Sequence, residues 1–235
     1  MVNPWKEIGL SDYENHMSLD SVKQLQSLNR TMKEQFNDYD VNTVMIMGIA
    51  GGNGLEYVNV KKYRKVFGVD INEDYLSAVM ERYNYLSGTL ECLNIDIINE
   101  TDKLPEAEFI IANLLIEYVG YEAFTKAVAI VKPRYVSCVI QINESEKQWV
   151  SDSPYIHAFD GLDSVHCQMD ENELTAAMNS AGYKMKKKTK DTLPNGKSLV
   201  RVDYEIWNSN FTKLYIRSWG GINESFGYSS IGNYE

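Results

Sequence analysis

Five short apolar segments, separated by stretches of a different periodicity, constrain the fold of this chain more than any other feature. The segments are TVMIMGI at 43–49, KVFGVDI at 65–71, LECLNIDI at 90–97, EFIIANLL at 108–115 and RYVSCVIQI at 134–142. Between them lie stretches predicted as helices: GNGLEYVNVKKY at 52–63, NEDYLSAVMERYNYL at 72–86 and GYEAFTKAVAIV at 120–131. Short strands that are apolar on both faces and joined by helices indicate a parallel sheet covered on both sides. Right-handed crossovers then make the sheet doubly wound.

The two ends of the chain add other elements. Apolar residues recur at three- and four-residue spacing over 18–37, which predicts an amphipathic helix with Ser18 or Asp20 as its cap. A helix predicted at 170–183 leads into KMKKKTKDTL, the turn PNGK and SLVRVDYEIW, which read as an antiparallel pair of strands. The expected fold is therefore α/β: a three-layer sandwich with a seven-stranded, mostly parallel, doubly wound sheet, a C-terminal antiparallel hairpin and an N-terminal helical cap.

These patterns divide the chain into three parts. Residues 1–40 form the predicted helical cap and residues 41–207 the main domain. Within the main domain, the polar and aromatic stretch 143–169 is too long for a passive connection and is predicted to contribute to a substrate site. The extension 208–235 is rich in Asn, Ser, Gly and Tyr, and either adds a strand, crosses onto a second subunit of a homodimer, or ends in disorder.

Composition excludes several classes of function. Lys and Arg number 23 and Asp and Glu 33, giving a net charge of −10, which opposes binding to nucleic acid. The lysines of YKMKKKTK at 183–190 are better explained as the solvated face of an edge strand. Three dispersed cysteines and three dispersed histidines indicate neither a disulfide framework nor a metal site. With no long apolar run and no leader pattern, the expectation is a cytoplasmic protein without a membrane partner.

The first strand runs into a glycine-rich loop. Gly48, Gly51, Gly52 and Gly54 lie where the strand is predicted to turn into a helix. Glycine permits positive φ and lets a ligand lie against the main chain, while a helix N-terminus offers free N–H groups. A tight turn can also need glycine for packing alone, so the loop by itself leaves a nucleotide-like ligand and a purely structural role open.

The end of the second strand favours a ligand. Asp70 follows Gly48 by about 20 residues, the spacing at which an acidic residue hydrogen-bonds ribose hydroxyls. One carboxylate can accept hydrogen bonds from both hydroxyls of a vicinal diol. The alternative, Asp70 as the cap of the next helix, does not explain its spacing from the loop. An adenosine-containing ligand is therefore expected.

At these residues the sequence resembles the class I S-adenosylmethionine-dependent methyltransferases, over about residues 40–207. MGIAGGNG resembles that family's first-strand glycine motif, and VFGVDINEDYL resembles its second-strand acidic motif. LNIDI resembles the segment whose Asp, here Asp96, contacts the adenine amino group. FIIANLLIEYV resembles the fourth-strand motif. The C-terminal hairpin after SAGY is also similar. The resemblance implies S-adenosyl-L-methionine as cofactor, S-adenosyl-L-homocysteine as product, and these cofactor-binding residues: Gly48, Ala50, Gly51, Gly52, Gly54, Asp70, Ile71, Asp96, Ile97, Asn113 and Leu114.

Two positions depart from the family pattern. Ala50 replaces a glycine in the middle of the loop, and Ile46 replaces an acidic residue that precedes the loop. The role of that acidic residue toward the cofactor is predicted to pass to the N-terminal segment LSDYENHM, in which Tyr13, Glu14 and His16 could fold over the cofactor; Tyr13 and His16 are further cofactor-binding candidates. The alternative for this segment is a surface stretch that only caps a helix.

Methyl transfer is an in-line displacement that depends mainly on alignment, so no single base is required by the chemistry. Candidates for proton handling are His157 first, within an insertion that also carries Trp149 and His166, and then Glu117 and Tyr118 after the fourth strand. The aromatic residues of the insertion can equally pack on the sheet without a catalytic role.

The sequence thus predicts an enzyme that methylates a small molecule. Two alternatives remain: an NAD-dependent oxidoreductase, which a C-terminal antiparallel hairpin disfavours, and a protein that binds S-adenosylmethionine without catalysis, for which Ile46 and Ala50 leave room.

Overall fold

The structure, a computed structural model, describes residues 3–143 and 149–207. Its seven strands are β1 Thr43–Met47, β2 Lys65–Asp70, β3 Leu90–Asn94, β4 Phe109–Asn113, β5 Tyr135–Ile142, β6 Tyr183–Thr192 and β7 Ser198–Ile206. Its α-helices are α1 Leu10–Ser18, α2 Gln24–Asp38, α3 Glu73–Arg82, α4 Ile116–Val131 and α5 Glu171–Ser180.

All seven strands join one sheet in the order β3-β2-β1-β4-β5-β7-β6. Strands β1 to β5 are parallel, and β7 pairs antiparallel with both β5 and β6. This order reverses direction beside β1, so the sheet is doubly wound, and the predicted C-terminal hairpin is confirmed. The carboxyl ends of β1, β2 and β4 consequently meet at one edge, where open α/β sheets bind their ligands.

Helices cover both faces of the sheet. Because successive strand residues point to opposite faces, Val44 and Ile46 of β1 face α2 and α3, while Met45 and Met47 face α4 and α5. The α2–α3 face buries Met32, Phe36, Leu76 and Val79, and the α4–α5 face buries Phe124, Val128, Leu174 and Met178. The predicted three-layer sandwich is confirmed.

The N-terminal segment differs from the prediction. Instead of one helix over 18–37, α2 begins only at Gln24, because Lys23 adopts a left-handed conformation with φ 53° that breaks the helical path. Neither Ser18 nor Asp20 caps α2. Residues 10–18, expected as a stretch preceding the first helix, form the separate helix α1.

The helix predicted directly after the glycine loop is also wrong. Only one 3₁₀ turn, Leu55–Tyr57, forms between β1 and β2. Helix α2 covers this part of the sheet instead, and its Met32 side chain lies so close to the loop that a Cβ on Gly54 would be 2.4 Å from the Met32 Cβ. The space that a crossover helix would fill is therefore already occupied by the N-terminal helix.

The remaining connections bear on the site. The insertion after β5 contains a 3₁₀ stretch, Ile156–Ser164, which packs against the N-terminal segment near Ile8 and Trp5. The predicted extension at 208–235, and residues 144–148 of the insertion, lie outside the described residues. None of the helices in the described part is long and apolar enough to cross a membrane.

Candidate functional site

The glycine loop bends the chain over the end of β2. The backbone N–H groups of Gly48 and Ile49 both donate to the Val69 carbonyl, at 2.9 and 3.1 Å. Gly48 and Gly52 have φ of 72° and 79°, and Ala50, at the position where the related pattern has glycine, also adopts positive φ, at 46°. A left-handed alanine is uncommon, so the loop keeps the glycine-type path at a small conformational cost.

Asp70 is hydrogen-bonded to the glycine loop. Its Oδ2 accepts the Ala50 N–H at 2.9 Å, and its Oδ1 accepts the Asn72 N–H at 3.0 Å. The side chain is buried, and burial raises the pKa of its carboxyl although the backbone donors act in the opposite direction. Asn72, not Asp70, caps α3, accepting from the N–H groups of Asp74 and Tyr75. The capping alternative for Asp70 is therefore wrong.

A cavity of about 680 Å³, which we call the loop cavity, opens beside Asp70. Nine of the predicted cofactor-binding residues line it: Tyr13, Gly48, Ala50, Asp70, Ile71, Asp96, Ile97, Asn113 and Leu114. They come from α1 and from the carboxyl ends of β1, β2, β3 and β4, so the topology brings together residues that are up to a hundred positions apart. Asp96 is half-buried, and its carboxylate accepts the Ile98 N–H at 2.9 Å.

Two residues of the loop cavity were not predicted from the sequence. The Tyr75 hydroxyl and the Trp5 indole Nε1 are buried without a hydrogen-bond partner among the described residues, and both side chains line the cavity. Buried polar groups normally have partners, so these two donors are suited to a polar ligand. Tyr75 lies in the first turn of the helix after Asp70, which could have identified it, whereas nothing around Trp5 in the sequence signals its role.

A second cavity of about 530 Å³, which we call the rear cavity, also borders the glycine loop. It shares Tyr13, Gly48, Ala50 and Asn113 with the loop cavity and is also lined by Glu14 and Gly51. The remaining predicted loop residues, Gly52 and Gly54, line neither cavity. A Cβ on Gly52 would lie 2.8 Å from Tyr83, so these two glycines allow close packing.

Glu14 of helix α1 contacts the glycine loop. Its carboxylate pairs with Arg82 at 2.6 Å, and the same Arg82 guanidinium donates to the Gly51 carbonyl at 2.8 Å. A Cβ at position 51 would lie 2.1 Å from the Glu14 Oε1. The carboxylate thus lies directly against the loop, near the position where Ile46 replaces an acidic residue.

A third cavity of about 560 Å³, which we call the aromatic cavity, adjoins the loop cavity. Trp5, Tyr13, Leu114 and Tyr118 line both. Several of its lining residues form ring pairs: the Trp149 and His166 rings stack at 3.9 Å between centroids, the Trp5 and Tyr118 rings meet edge to face at 4.8 Å, and the His16 and Phe159 rings lie 4.7 Å apart. The predicted insertion therefore contributes Trp149, Phe159 and His166 to this cavity.

Glu117, in the first turn of α4, is the acidic group of the aromatic cavity. Its Oε1 accepts the Gln141 N–H at 2.7 Å, whereas its Oε2 is buried without a partner in the described part of the chain. Only 3% of the residue is exposed. Burial raises the pKa of its carboxyl to about 7, with the Gln141 N–H acting in the opposite direction. A carboxyl that exchanges its proton near neutral pH can act as an acid or a base.

The histidines are distributed differently from the prediction. His16, expected at the cofactor, lines the aromatic cavity and not the loop cavity, and its Nδ1 lies 2.8 Å from the Ser153 hydroxyl. Burial, and then the charge of Lys197, lower its pKa. His157, the first candidate for proton handling, lines none of the three cavities. Its side chain is 89% exposed and pairs with Asp160 at 3.2 Å, because the 3₁₀ stretch turns this position to solvent.

The catalytic candidates Glu117 and Tyr118 do lie together in the aromatic cavity, and Tyr118 reaches the loop cavity as well. Within residues 3–143 and 149–207 there is no group of three or more His, Cys, Asp or Glu side chains placed to hold a metal ion.

Comparison with known proteins gives a match in structure only. No protein-family model matches the chain, and no curated protein matches it. Magnesium protoporphyrin IX methyltransferase from Synechocystis PCC 6803 with bound SAH matches with a TM-score of 0.60 and 9% identity, over 86% of this chain and 96% of that one. Geranyl diphosphate methyltransferase in complex with SAM gives a TM-score of 0.59 and 10% identity, over 77% and 85%.

This chain has the class I methyltransferase fold. The strand order with its antiparallel C-terminal hairpin is the decisive feature that it shares with those structures. A third similar structure is the 4+2 cyclase SpnF, with a TM-score of 0.59 and 9% identity over 78% of this chain and 82% of that one. At identities this low the likeness establishes the fold, and the activity has to be argued from the cavities.

Proposed function

We propose that this protein is an S-adenosylmethionine-dependent methyltransferase that acts on a small molecule. The proposal rests on the fact that the loop cavity and the aromatic cavity adjoin each other. The loop cavity lies at the strand ends where this fold binds its ligands, and it shares Trp5, Tyr13, Leu114 and Tyr118 with the aromatic cavity. A transfer between two bound molecules needs two adjoining sites of this kind.

The residues of the loop cavity fit S-adenosylmethionine. Asp70 has free acceptor capacity for ribose hydroxyls, since each oxygen accepts only one backbone N–H. Tyr75 and Trp5 offer donors without a partner among the described residues. Asp96 and Ile97 would line the adenine end, and Glu14, against Gly51, would supply the carboxylate for the amino group that Ile46 cannot bind. When bound, the cofactor supplies a methyl group on a positively charged sulfur, which is open to in-line displacement.

The first experiment is titration calorimetry of S-adenosylhomocysteine into the purified protein, with NADH as control. We expect saturable binding of S-adenosylhomocysteine alone. Asp70→Asn should weaken it roughly tenfold to a hundredfold, because hydrogen bonds to a charged acceptor contribute about 1.5–3 kcal/mol. Asp102→Asn, an exposed aspartate, is the matched control and should bind like wild type.

Asp70→Asn keeps an acceptor for only one of the two backbone N–H groups that bind Asp70. Because the other N–H group loses its acceptor, thermal unfolding should first confirm that the variant is folded, and only then is its affinity interpreted. Undiminished binding by a folded Asp70→Asn variant would contradict the assignment of the loop cavity. Binding of NADH instead would favour the oxidoreductase alternative, which the antiparallel β7 disfavours.

Binding does not by itself establish transfer. The similar structure described as a cyclase shows that this fold is found in proteins described by other activities. Incubation of the protein and labelled S-adenosylmethionine with a metabolite extract separates the two cases, since a protein that only binds the cofactor transfers no label. The cytoplasmic location and the homodimer stay predictions from the sequence.

A further inference from the structure

The aromatic cavity combines two features that select for the same ligand chemistry. Seven of the residues that line it carry rings, and among the described residues the only carboxylate that lines it is Glu117, whose Oε2 has no partner there. Ring faces carry negative partial charge and attract cations, most strongly when water is excluded. A buried carboxylate without a partner is stabilised by a hydrogen-bonded cation.

From these contacts we infer that the acceptor bound in the aromatic cavity is a small amine, whose nitrogen donates to Glu117 Oε2 and lies among the rings of Trp5, Tyr118, Trp149 and His166. This inference rests on the proposed function, because it assumes that the loop cavity holds the methyl donor.

The surroundings leave Glu117 as the acidic partner at neutral pH. In the described part of the chain, the charged and titratable groups around it are Tyr13 and His16 on α1, Tyr118 and Tyr121 on α4, Cys138 on β5, Asp163 in the 3₁₀ stretch, His166 after it, and Lys197 before β7; the Asp163 carboxylate accepts the Trp149 indole N–H and does not line the cavity. Burial raises the pKa of the tyrosines and of Cys138, so that they stay neutral, and lowers the pKa of His16 and His166. The Lys197 ammonium donates to the Trp149 carbonyl and does not line the cavity.

Glu117 also has a role in the transfer step. An amine that enters as an ammonium gives one proton to the Glu117 carboxylate, which frees the nitrogen lone pair. The nitrogen then bonds the methyl carbon as the carbon–sulfur bond breaks, and the electron pair of that bond stays with sulfur. The positive charge ends on the methylated nitrogen, and the proton held by Glu117 returns to solvent. In the protein without ligand the Glu117 carboxyl exchanges its proton near neutral pH, so the ionised form that receives the amine is populated at the working pH.

The test measures ligand selectivity directly. Three skeletons, benzyl, phenethyl and indolylmethyl, are each supplied as the amine, the alcohol and the carboxylate, and binding is measured by NMR titration with S-adenosylhomocysteine present. We expect the amine of at least one set to bind roughly tenfold tighter than its alcohol, with the carboxylate weakest. Glu117→Gln should remove this preference, while Glu122→Gln, an exposed glutamate of the same helix, should retain it.

A second measurement tests the proton transfer from the amine to Glu117. With labelled S-adenosylmethionine and the preferred amine, kcat/KM should rise with pH through about 7 in wild type and Glu122→Gln, and this rise should be absent in Glu117→Gln.

The inference is overturned if carboxylates or alcohols bind best, if no amine binds, or if Glu117→Gln keeps both the amine preference and the pH profile. Failure of the proposed function gives a different result: S-adenosylhomocysteine then does not bind at all, and the selectivity of the aromatic cavity can still be measured without it.

Discussion

Glu117 should reduce the stability of the folded protein above neutral pH, and Glu117→Gln should remove that loss. The side chain is 3% exposed, and burial raises the pKa of its carboxyl from 4.5 to about 7. Because one pKa unit corresponds to about 1.4 kcal/mol, ionisation of this buried group costs about 3 kcal/mol of unfolding free energy at high pH. A neutral glutamine of the same shape carries no such cost and can still accept the Gln141 N–H.

The direction of the pH dependence follows from the two pKa values. The folded protein keeps this proton to higher pH than the unfolded chain, so its stabilising contribution is complete below the unfolded value of 4.5 and is lost as the pH rises through about 7. Between about pH 6 and pH 8.5 the wild type should therefore lose about 1.4 kcal/mol relative to Glu117→Gln. Other titrating groups are common to both proteins and cancel in the difference.

Urea denaturation of wild type, Glu117→Gln and Glu122→Gln at several pH values across this range measures the difference. The free energy of unfolding of Glu117→Gln should exceed that of wild type by a margin that grows with pH, whereas the margin for the exposed Glu122→Gln control should stay constant. A margin that is independent of pH, or that shrinks as the pH rises, would refute the reasoning, because Glu117 would then be ionised without loss in the folded state.

The glycine loop and the buried ion pairs give further predictions. In Gly51→Ala the new Cβ would lie 2.1 Å from the Glu14 Oε1, so Glu14 must move away from the loop. Calorimetry should then show that S-adenosylhomocysteine binds about tenfold more weakly. The control Gly88→Ala should bind it normally, because a Cβ at position 88 has no atom within 4 Å. Arg201→Leu leaves the fully buried Asp203 with only hydroxyl donors and no cationic partner, and it should lower the free energy of unfolding by about 3 kcal/mol or more. Arg134→Leu, which removes an exposed pair, should cost less than about 1 kcal/mol in the same denaturation assay.

The sheet was predictable because its signals are local. Each central strand carries its own apolar run, and Asp70 and the glycine loop lie at fixed places at the strand ends, so the fold and most of the loop cavity follow from short stretches of sequence. The helix after the loop was predicted wrongly for a non-local reason. Its place on the sheet is taken by α2, and nothing in residues 52–63 indicates that Met32 will lie against Gly54.

The aromatic cavity was less predictable because its wall comes from three distant stretches. Trp5 and His16 come from the N-terminal segment, Glu117 from the start of α4, and Trp149 and His166 from the insertion after β5. An exposed His157 and a half-buried His166 lie nine residues apart in the same insertion, and only the turn of the 3₁₀ stretch separates them. Pattern reasoning located the insertion but could not say which of its residues point inward.

The cost of burying Glu117 and the selectivity of the aromatic cavity have one physical origin. An apolar wall that raises the pKa of the carboxyl also removes the water that would compete with a bound ammonium, so the same burial that destabilises the empty site strengthens the pairing in the filled one. A bound amine should therefore hold Glu117 ionised and lower its pKa, which makes the stability loss above neutral pH disappear when the ligand is present. Stability and specificity at this position are thus coupled, and an amine that binds elsewhere on the protein would leave the pH dependence of unfolding unchanged.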